Sequence, residues 1–146
     1  MIKISERLLE RIKRHAEEDY PQECCGLLIG RIEDLGQTRV VLEICPVANN
    51  WGEQDTIHRR MMITPRDYMQ AERRFAKQGL GVVGNYHSHP EHPAVPSQFD
   101  LENLAPWPTM SYIVVSVTKE QAMEARSWEL AADRARFNEE EILKGN

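Results

Sequence analysis

The sequence predicts an α/β fold in which a mixed, curved β-sheet is flanked by helices. Two observations carry that expectation. Short apolar runs rich in β-branched residues alternate with segments of helical periodicity, the pattern of strands and helices packed in layers. The 146 residues contain no repeat, linker or low-complexity stretch, so the elements are expected to share one core, and a chain of this length buries one without staples.

Taken in order, the elements justify themselves locally. MIKISERLLERIKRH (1–15) reads as an amphipathic helix, with Ser5 placed to cap it and Leu8, Leu9, Ile12 and Ala16 on one face. Tyr20-Pro21 ends it. CCGLLIGRI (24–32) is an apolar run with a glycine inside, the mark of a buried strand, and TRVVLEICPV (38–47) is the next, joined by a turn at 34–36. NNWGEQDT (49–56) has loop composition, and IHRRMMI (57–63) predicts a third strand. Thr64-Pro65-x-Asp67 is a helix start, with Tyr68, Ala71, Glu72 and Phe75 on one face and Gly79 as terminator. LGVVGNYHSH (80–89) is a strand carrying histidines at its end, and SQFDLENL (97–104) opens a helix. MSYIVVSV (110–117) and MEARSWEL (123–130) are strands, and DRARFNEEEILKGN (133–146) is a short helix or a frayed end.

Charge and cysteine usage narrow the class. A formal net charge of −5 argues against nucleic acid as a partner, since its binders carry a basic excess. Cys24, Cys25 and Cys45 are an odd count without a CxxC pair. Neither a disulfide framework nor Cys-ligated zinc is expected, and a reducing cytoplasm is. The first residues lack a signal-peptide core, and no apolar run reaches membrane-spanning length.

The chemistry concentrates in HSHPEHPAVPSQFD (87–100). Side chains alternate along a strand, so His87 and His89 share a face and can grip one ion, while Ser88 points away. Pro90, Pro93 and Pro96 stiffen the return of the chain. If Ser97 caps the following helix, Asp100 falls in its first turn, where the helix dipole favours an ionised carboxylate. Two imidazoles and a carboxylate leave a fourth tetrahedral position for water, which is the composition of a catalytic site. Three N/O ligands suit zinc or iron; the lack of any redox feature favours zinc. Ser97-x-x-Asp100 alone is also an ordinary capping box.

The pattern His-x-His, seven residues, Ser, two residues, Asp is filled by His87, His89, Ser97 and Asp100. It resembles the signature of the JAMM (MPN-plus) zinc metallopeptidases. PQECCGLLIG (21–30) resembles the family's upstream segment with its glutamate, which makes Glu23 the match; VVGNYHSHP and YIVVSV resemble family strands. The likeness spans about residues 5–130, leaving 131–146 as a tail on one JAMM/MPN domain, a cytidine-deaminase-like fold. The resemblance implies one zinc ion on His87, His89 and Asp100, Glu23 as general base, and Ser97 as donor to the oxyanion. It also implies hydrolysis of an amide or isopeptide bond after the C-terminal Gly-Gly of a ubiquitin-like protein. Little room exists here for the long insertions of eukaryotic deubiquitinating members, so the chain looks like the compact prokaryotic type, whose partners are small ubiquitin-like sulfur carriers.

Three rivals were weighed. A non-catalytic MPN-type scaffold usually lacks part of the ligand set, which is complete here. A nucleobase deaminase needs H-x-E and P-C-x-x-C, neither of which occurs. A cysteine hydrolase would use Cys24 or Cys25, residues whose strand context points to packing. His92 reads as a loop residue rather than a surplus ligand; His58, Arg59 and Arg60 read as a solvated strand face ahead of the alternative that they face the acidic or C-terminal parts of a partner. Trp51 and Trp107 are candidates for substrate contact or edge packing. His15 carries no usable signal.

Overall fold

The computed structural model describes residues 1–53, 56–57, 60–103 and 107–145. Along the chain run β1 (Ile2–Ser5), α1 (Glu6–Asp19), β2 (Cys25–Glu33), β3 (Thr38–Val47), α2 (Pro65–Phe75), β4 (Gly81–Pro90), α3 (Gln98–Asn103), β5 (Ser111–Thr118), β6 (Gln121–Leu130), β7 (Phe137–Glu140) and β8 (Ile142–Gly145). The strands form one sheet in the order β7-β6-β5-β4-β2-β3-β1-β8. It is mixed: β4 runs parallel to β5, and β1 parallel to both β3 and β8, while the other pairs are antiparallel.

The predicted caps form. Ser5 Oγ accepts the Leu8 amide at 3.2 Å, and Thr64 and Asp67 complete a reciprocal capping box ahead of Pro65. Gly79 ends the short turn after α2 in the left-handed conformation (φ 72°) that a glycine adopts without strain.

Strand alternation then sorts the core onto two faces. Leu28, Val83, Ile113 and Val115 meet Leu8, Leu9, Ile12 and Ala16 of α1, while Leu27, Ile29 and Val82 meet Ala71 and Phe75 of α2. Gly26 lets β2 close onto Tyr86 of β4, because a Cβ there would lie 2.3 Å from the Tyr86 ring.

Three expectations are corrected. Residues 2–5 are a strand, not the start of the helix: Ile2 and Ile4 are buried and β1 pairs with β3 and β8. Residues 60–63 form no strand, because the Met62 amide donates to the Asn49 side chain (3.1 Å) instead of a sheet neighbour; His58 and Arg59 lie outside the described residues. The 133–146 segment supplies β7 and β8, separated by Glu141 alone although they sit at opposite ends of the sheet. The sheet is therefore curved almost into closure. Arg39 fastens the closure: it is buried and reaches Ser111 Oγ (3.0 Å), Glu140 Oε1 (2.7 Å) and Glu129 Oε2 (2.8 Å). Among the described residues no helix is long and apolar enough to cross a membrane.

Candidate active site

β4 is buried from Val82 to Pro90 and ends at the site. His87 and His89 project from one face, Tyr86 and Ser88 from the other, as alternation requires. The proline turn is anchored at both sides, by Glu91 N to Val117 O (2.7 Å) and by Trp128 Nε1 to the carbonyl of buried Ala94 (3.1 Å). It delivers Ser97 and Asp100 as a capping box: Ser97 N donates to Asp100 Oδ2 at 2.8 Å and Asp100 N to Ser97 Oγ at 3.1 Å. The capping reading of this motif is therefore the observed one. The same Asp100 Oδ2 lies 3.2 Å from His87 Nε2 and 3.1 Å from His89 Nε2, and the two nitrogens are 3.0 Å apart.

This buried triangle is a group that can hold a metal ion. Ligands ~2.0–2.1 Å from a tetrahedral ion lie roughly 3.3–3.4 Å from one another, so the three atoms need to part by only a few tenths of an ångström. His89 Nδ1 is 3.1 Å from the Pro93 carbonyl; a carbonyl only accepts, so Nδ1 carries the proton and Nε2 turns its lone pair to the centre. Burial lowers the His87 pKa, against the pull of Asp100. Burial would raise Asp100, but the pull of His87 and its hydrogen bond outweigh it and hold the carboxyl well below the usual range. Both directions suit ligation.

Glu23 stands just before β2, whose Cys25 pairs with His87. Its segment is tied to the ligand strand, since Cys24 N donates to Ser88 Oγ (2.8 Å) and Ser88 N to Cys24 O (3.2 Å). The Glu23 side chain is buried, and its Oε1 has no hydrogen-bond partner among the described residues. Burial first, and the Asp100 charge second, push its carboxyl up to about 9. A buried carboxyl without a partner is costly unless something else is meant to meet it.

Glu23, His89 and Ser97 line one cavity of about 340 Å³ with Arg60, His92 and Phe99. Ser97 Oγ is an acceptor toward Asp100 N, which leaves its hydroxyl proton for a further partner. His92 is exposed and outside the ligand triangle. Burial pushes the Cys24 thiol up to about 12 and raises that of Cys25, so neither is a ready nucleophile. A neighbouring apolar cavity of about 620 Å³ shares Phe99 and is lined by Trp51, Met62, Tyr68 and Trp107. His15 Nδ1 meets Tyr86 OH at 2.8 Å on the far face of β4.

Sequence reasoning missed the roles of Ser88 and Asn49, and placed Arg60 on a solvated strand face first. Asn49 uses its whole amide: Nδ2 donates to Glu23 O (3.1 Å) and Arg60 O (2.9 Å), and Oδ1 accepts Trp51 N (3.0 Å) and Met62 N (3.1 Å). The only available signal was an Asn-Asn pair inside a loop.

The chain is 31% identical over 121 residues to the desampylase of Haloferax volcanii, covering 83% of this chain and 80% of that protein. It is 30% identical over 95 residues to a probable TtuB-protein conjugate cleaving protease of Thermus thermophilus, covering 65% of this chain and 57% of the other. The solution structure of a protein from Desulfitobacterium hafniense matches with a TM-score of 0.82 at 31% identity, over 100% of this chain and 94% of that one. Residues 5–131 fit the family model described as prokaryotic homologs of the JAB domain, a span that takes in Glu23 and the whole His87–Asp100 stretch, and the chain belongs to that family.

Proposed function

We propose that this chain is a zinc-dependent peptidase that hydrolyses the amide bond after the C-terminal Gly-Gly of a ubiquitin-like sulfur-carrier protein. The observation that carries this reading is the convergence of His87 Nε2, His89 Nε2 and Asp100 Oδ2 within 3.0–3.2 Å of one another, with His89 lining the same cavity as Glu23. The names of the Haloferax and Thermus relatives support the reaction class and the ubiquitin-like partner.

His87, His89 and Asp100 would hold one zinc ion, which when bound supplies Lewis acidity and lowers the pKa of water at that point to about 7. The protein's own groups do the rest. Glu23 takes the proton of the attacking water and passes it to the leaving amine as the C–N bond breaks and the C–O bond forms, a role typically worth ~10²–10⁴-fold. Ser97 turns its hydroxyl proton to the developing oxyanion, where one such donor is worth roughly 2.7–4 kcal/mol. Pro93 keeps His89 in the tautomer that ligation needs. The apolar cavity beside Phe99 gives an extended carrier tail somewhere to lie, and two glycines pass the narrow site where larger side chains would clash.

The test is incubation of the zinc-loaded protein with a carrier bearing residues after Gly-Gly, with the product weighed by mass spectrometry. Release of a carrier ending in Gly-Gly, stopped by a chelator, is expected; an intact carrier with zinc present overturns the reading.

A further inference from the structure

Outside the proposed ligands and base, the Glu23 cavity is lined by one permanently charged residue, Arg60, together with His92. Arg60 is built in. Its guanidinium lies 4.5 Å over the Phe99 ring and 5.5 Å from that of Trp51, and the two rings meet edge to face at 5.3 Å. Aromatic faces hold a guanidinium flat and leave its N–H edge exposed. Trp51 is itself fixed by its indole N–H to Thr56 Oγ1 at 2.7 Å, and Phe99 immediately precedes Asp100 on α3. Asn49 binds the backbone carbonyls of Glu23 and Arg60 through one nitrogen, which ties the two backbones together, and both residues line the same cavity. Among the described residues no carboxylate lies within ion-pair distance of Arg60. A braced guanidinium with no anion beside it among the described residues, in a cavity with Glu23, offers its N–H edge to an anionic group.

Resting on the peptidase reading above, we propose that Arg60 reads a free α-carboxylate on the leaving group. A single C-terminal residue would then be preferred over a chain that continues, or over a lysine side chain. Glu23 hands its proton to the departing amine, so that amine leaves on the Glu23 side of the cavity. In a terminal residue the carboxylate carbon is two bonds from this nitrogen, which keeps it in the cavity that Arg60 and Glu23 both line. In a lysine the nitrogen is followed by four methylenes, which offer a guanidinium nothing. The fork of Arg matches a carboxylate through two parallel hydrogen bonds.

The test uses the zinc-loaded protein and three carriers: one ending Gly-Gly-Ala with a free carboxylate, the same with a C-terminal amide, and one ending Gly-Gly-Asp with a C-terminal amide. Wild type should prefer the free acid over its amide by ~10–100-fold in kcat/KM, the worth of a charge-assisted pair, and Arg60→Gln should bring that ratio to within about twofold of one. Equal cleavage of acid and amide by wild type, or an unchanged ratio in Arg60→Gln, overturns the inference and leaves the peptidase reading standing. An aspartyl amide cleaved as well as the free acid assigns Arg60 to side-chain carboxylates and overturns the α-carboxylate assignment. Failure to cleave any of the three removes the peptidase reading and the inference with it. A binding readout needs no variant of Arg60: the peptide Gly-Gly-Ala should shift the Trp51 indole N–H resonance of the wild-type protein and its amide should not, whereas equal shifts count against the subsite.

Discussion

Ser88 and Cys24 clasp each other twice, through Cys24 N to Ser88 Oγ at 2.8 Å and Ser88 N to Cys24 O at 3.2 Å. Ser88 separates the two histidines of the candidate centre, and Cys24 follows Glu23. The residue that faces away from the metal site is thus the one that sets the distance between ligands and base. Ser88→Ala leaves a buried amide without its partner, which costs about 1–3 kcal/mol. It is expected to keep the metal and KM but to lower kcat by ~10–100-fold, because a base displaced by less than 1 Å is poorly aligned. Urea denaturation, metal analysis and a kcat-against-KM split check this; an unchanged kcat would reduce the clasp to a purely structural contact.

The triangle and the base are expected to respond differently to truncation. Asp100→Ala removes the oxygen that meets both histidines and the Ser97 amide, so zinc content after dialysis should fall close to zero. Glu23→Ala touches none of these bonds and should retain zinc while losing ~10²–10⁴-fold in turnover. Metal stoichiometry of the two purified variants separates the roles, and zinc missing from the Glu23 variant contradicts them.

What could be read from the sequence follows from how local each feature is. His87, His89, Ser97 and Asp100 lie in one fourteen-residue stretch, where strand alternation and a helix cap fix their directions without knowledge of the rest of the fold. The caps of α1 and α2 were equally local. Glu23 is sixty-four residues from His87 and is brought in by the β2–β4 register, so only a family resemblance singled it out. Asn49 and Arg60 act through backbone carbonyls and ring faces, which leave no mark on residue type. The apolar residues of 57–63 imitate a strand in the sequence, but the Met62 amide goes to the Asn49 side chain. The tail hid its two strands because Glu140, a polar residue, is buried by a partner one hundred and one positions away, Arg39.

That Arg39–Glu140 pair makes the near-closure of the sheet testable. Both side chains are almost wholly buried (2% and 1% exposed), and the pair spans from β3 to β7, with Ser111 of β5 and Ser127 of β6 completing its hydrogen bonds. Removing Arg39 leaves the buried Glu140 carboxylate with the partly exposed Met1 ammonium, 3.3 Å away, as its remaining cation. Arg39→Ala is therefore expected to destabilise the protein by about 3–5 kcal/mol, and to raise hydrogen exchange first in β7 and β8. A loss below ~0.5 kcal/mol in urea denaturation would mean that the closure is held by the strand pairing alone.

The raised carboxyl of Glu23 gives the metal-free protein a pH signature of definite sign. In the native state its pKa is pushed from 4.5 up to about 9, so between these values the folded protein holds a proton that the unfolded chain has released. Its contribution to stability is complete below about pH 4.5 and is lost as pH rises towards 9, with a slope of at most about 1.4 kcal/mol per pH unit. Asp100 and His87 also titrate, but they are common to wild type and Glu23→Gln and cancel in the difference. In chelator, Glu23→Gln should therefore gain stability relative to wild type steadily from pH 5 to pH 9. With zinc bound the nearby cation favours the carboxylate, and the difference should become flat. Denaturation of both proteins at pH 5, 7 and 9, with and without zinc, decides it. A flat difference in chelator would mean that Glu23 is ionised before any metal arrives, and that its burial is not what tunes it as a base.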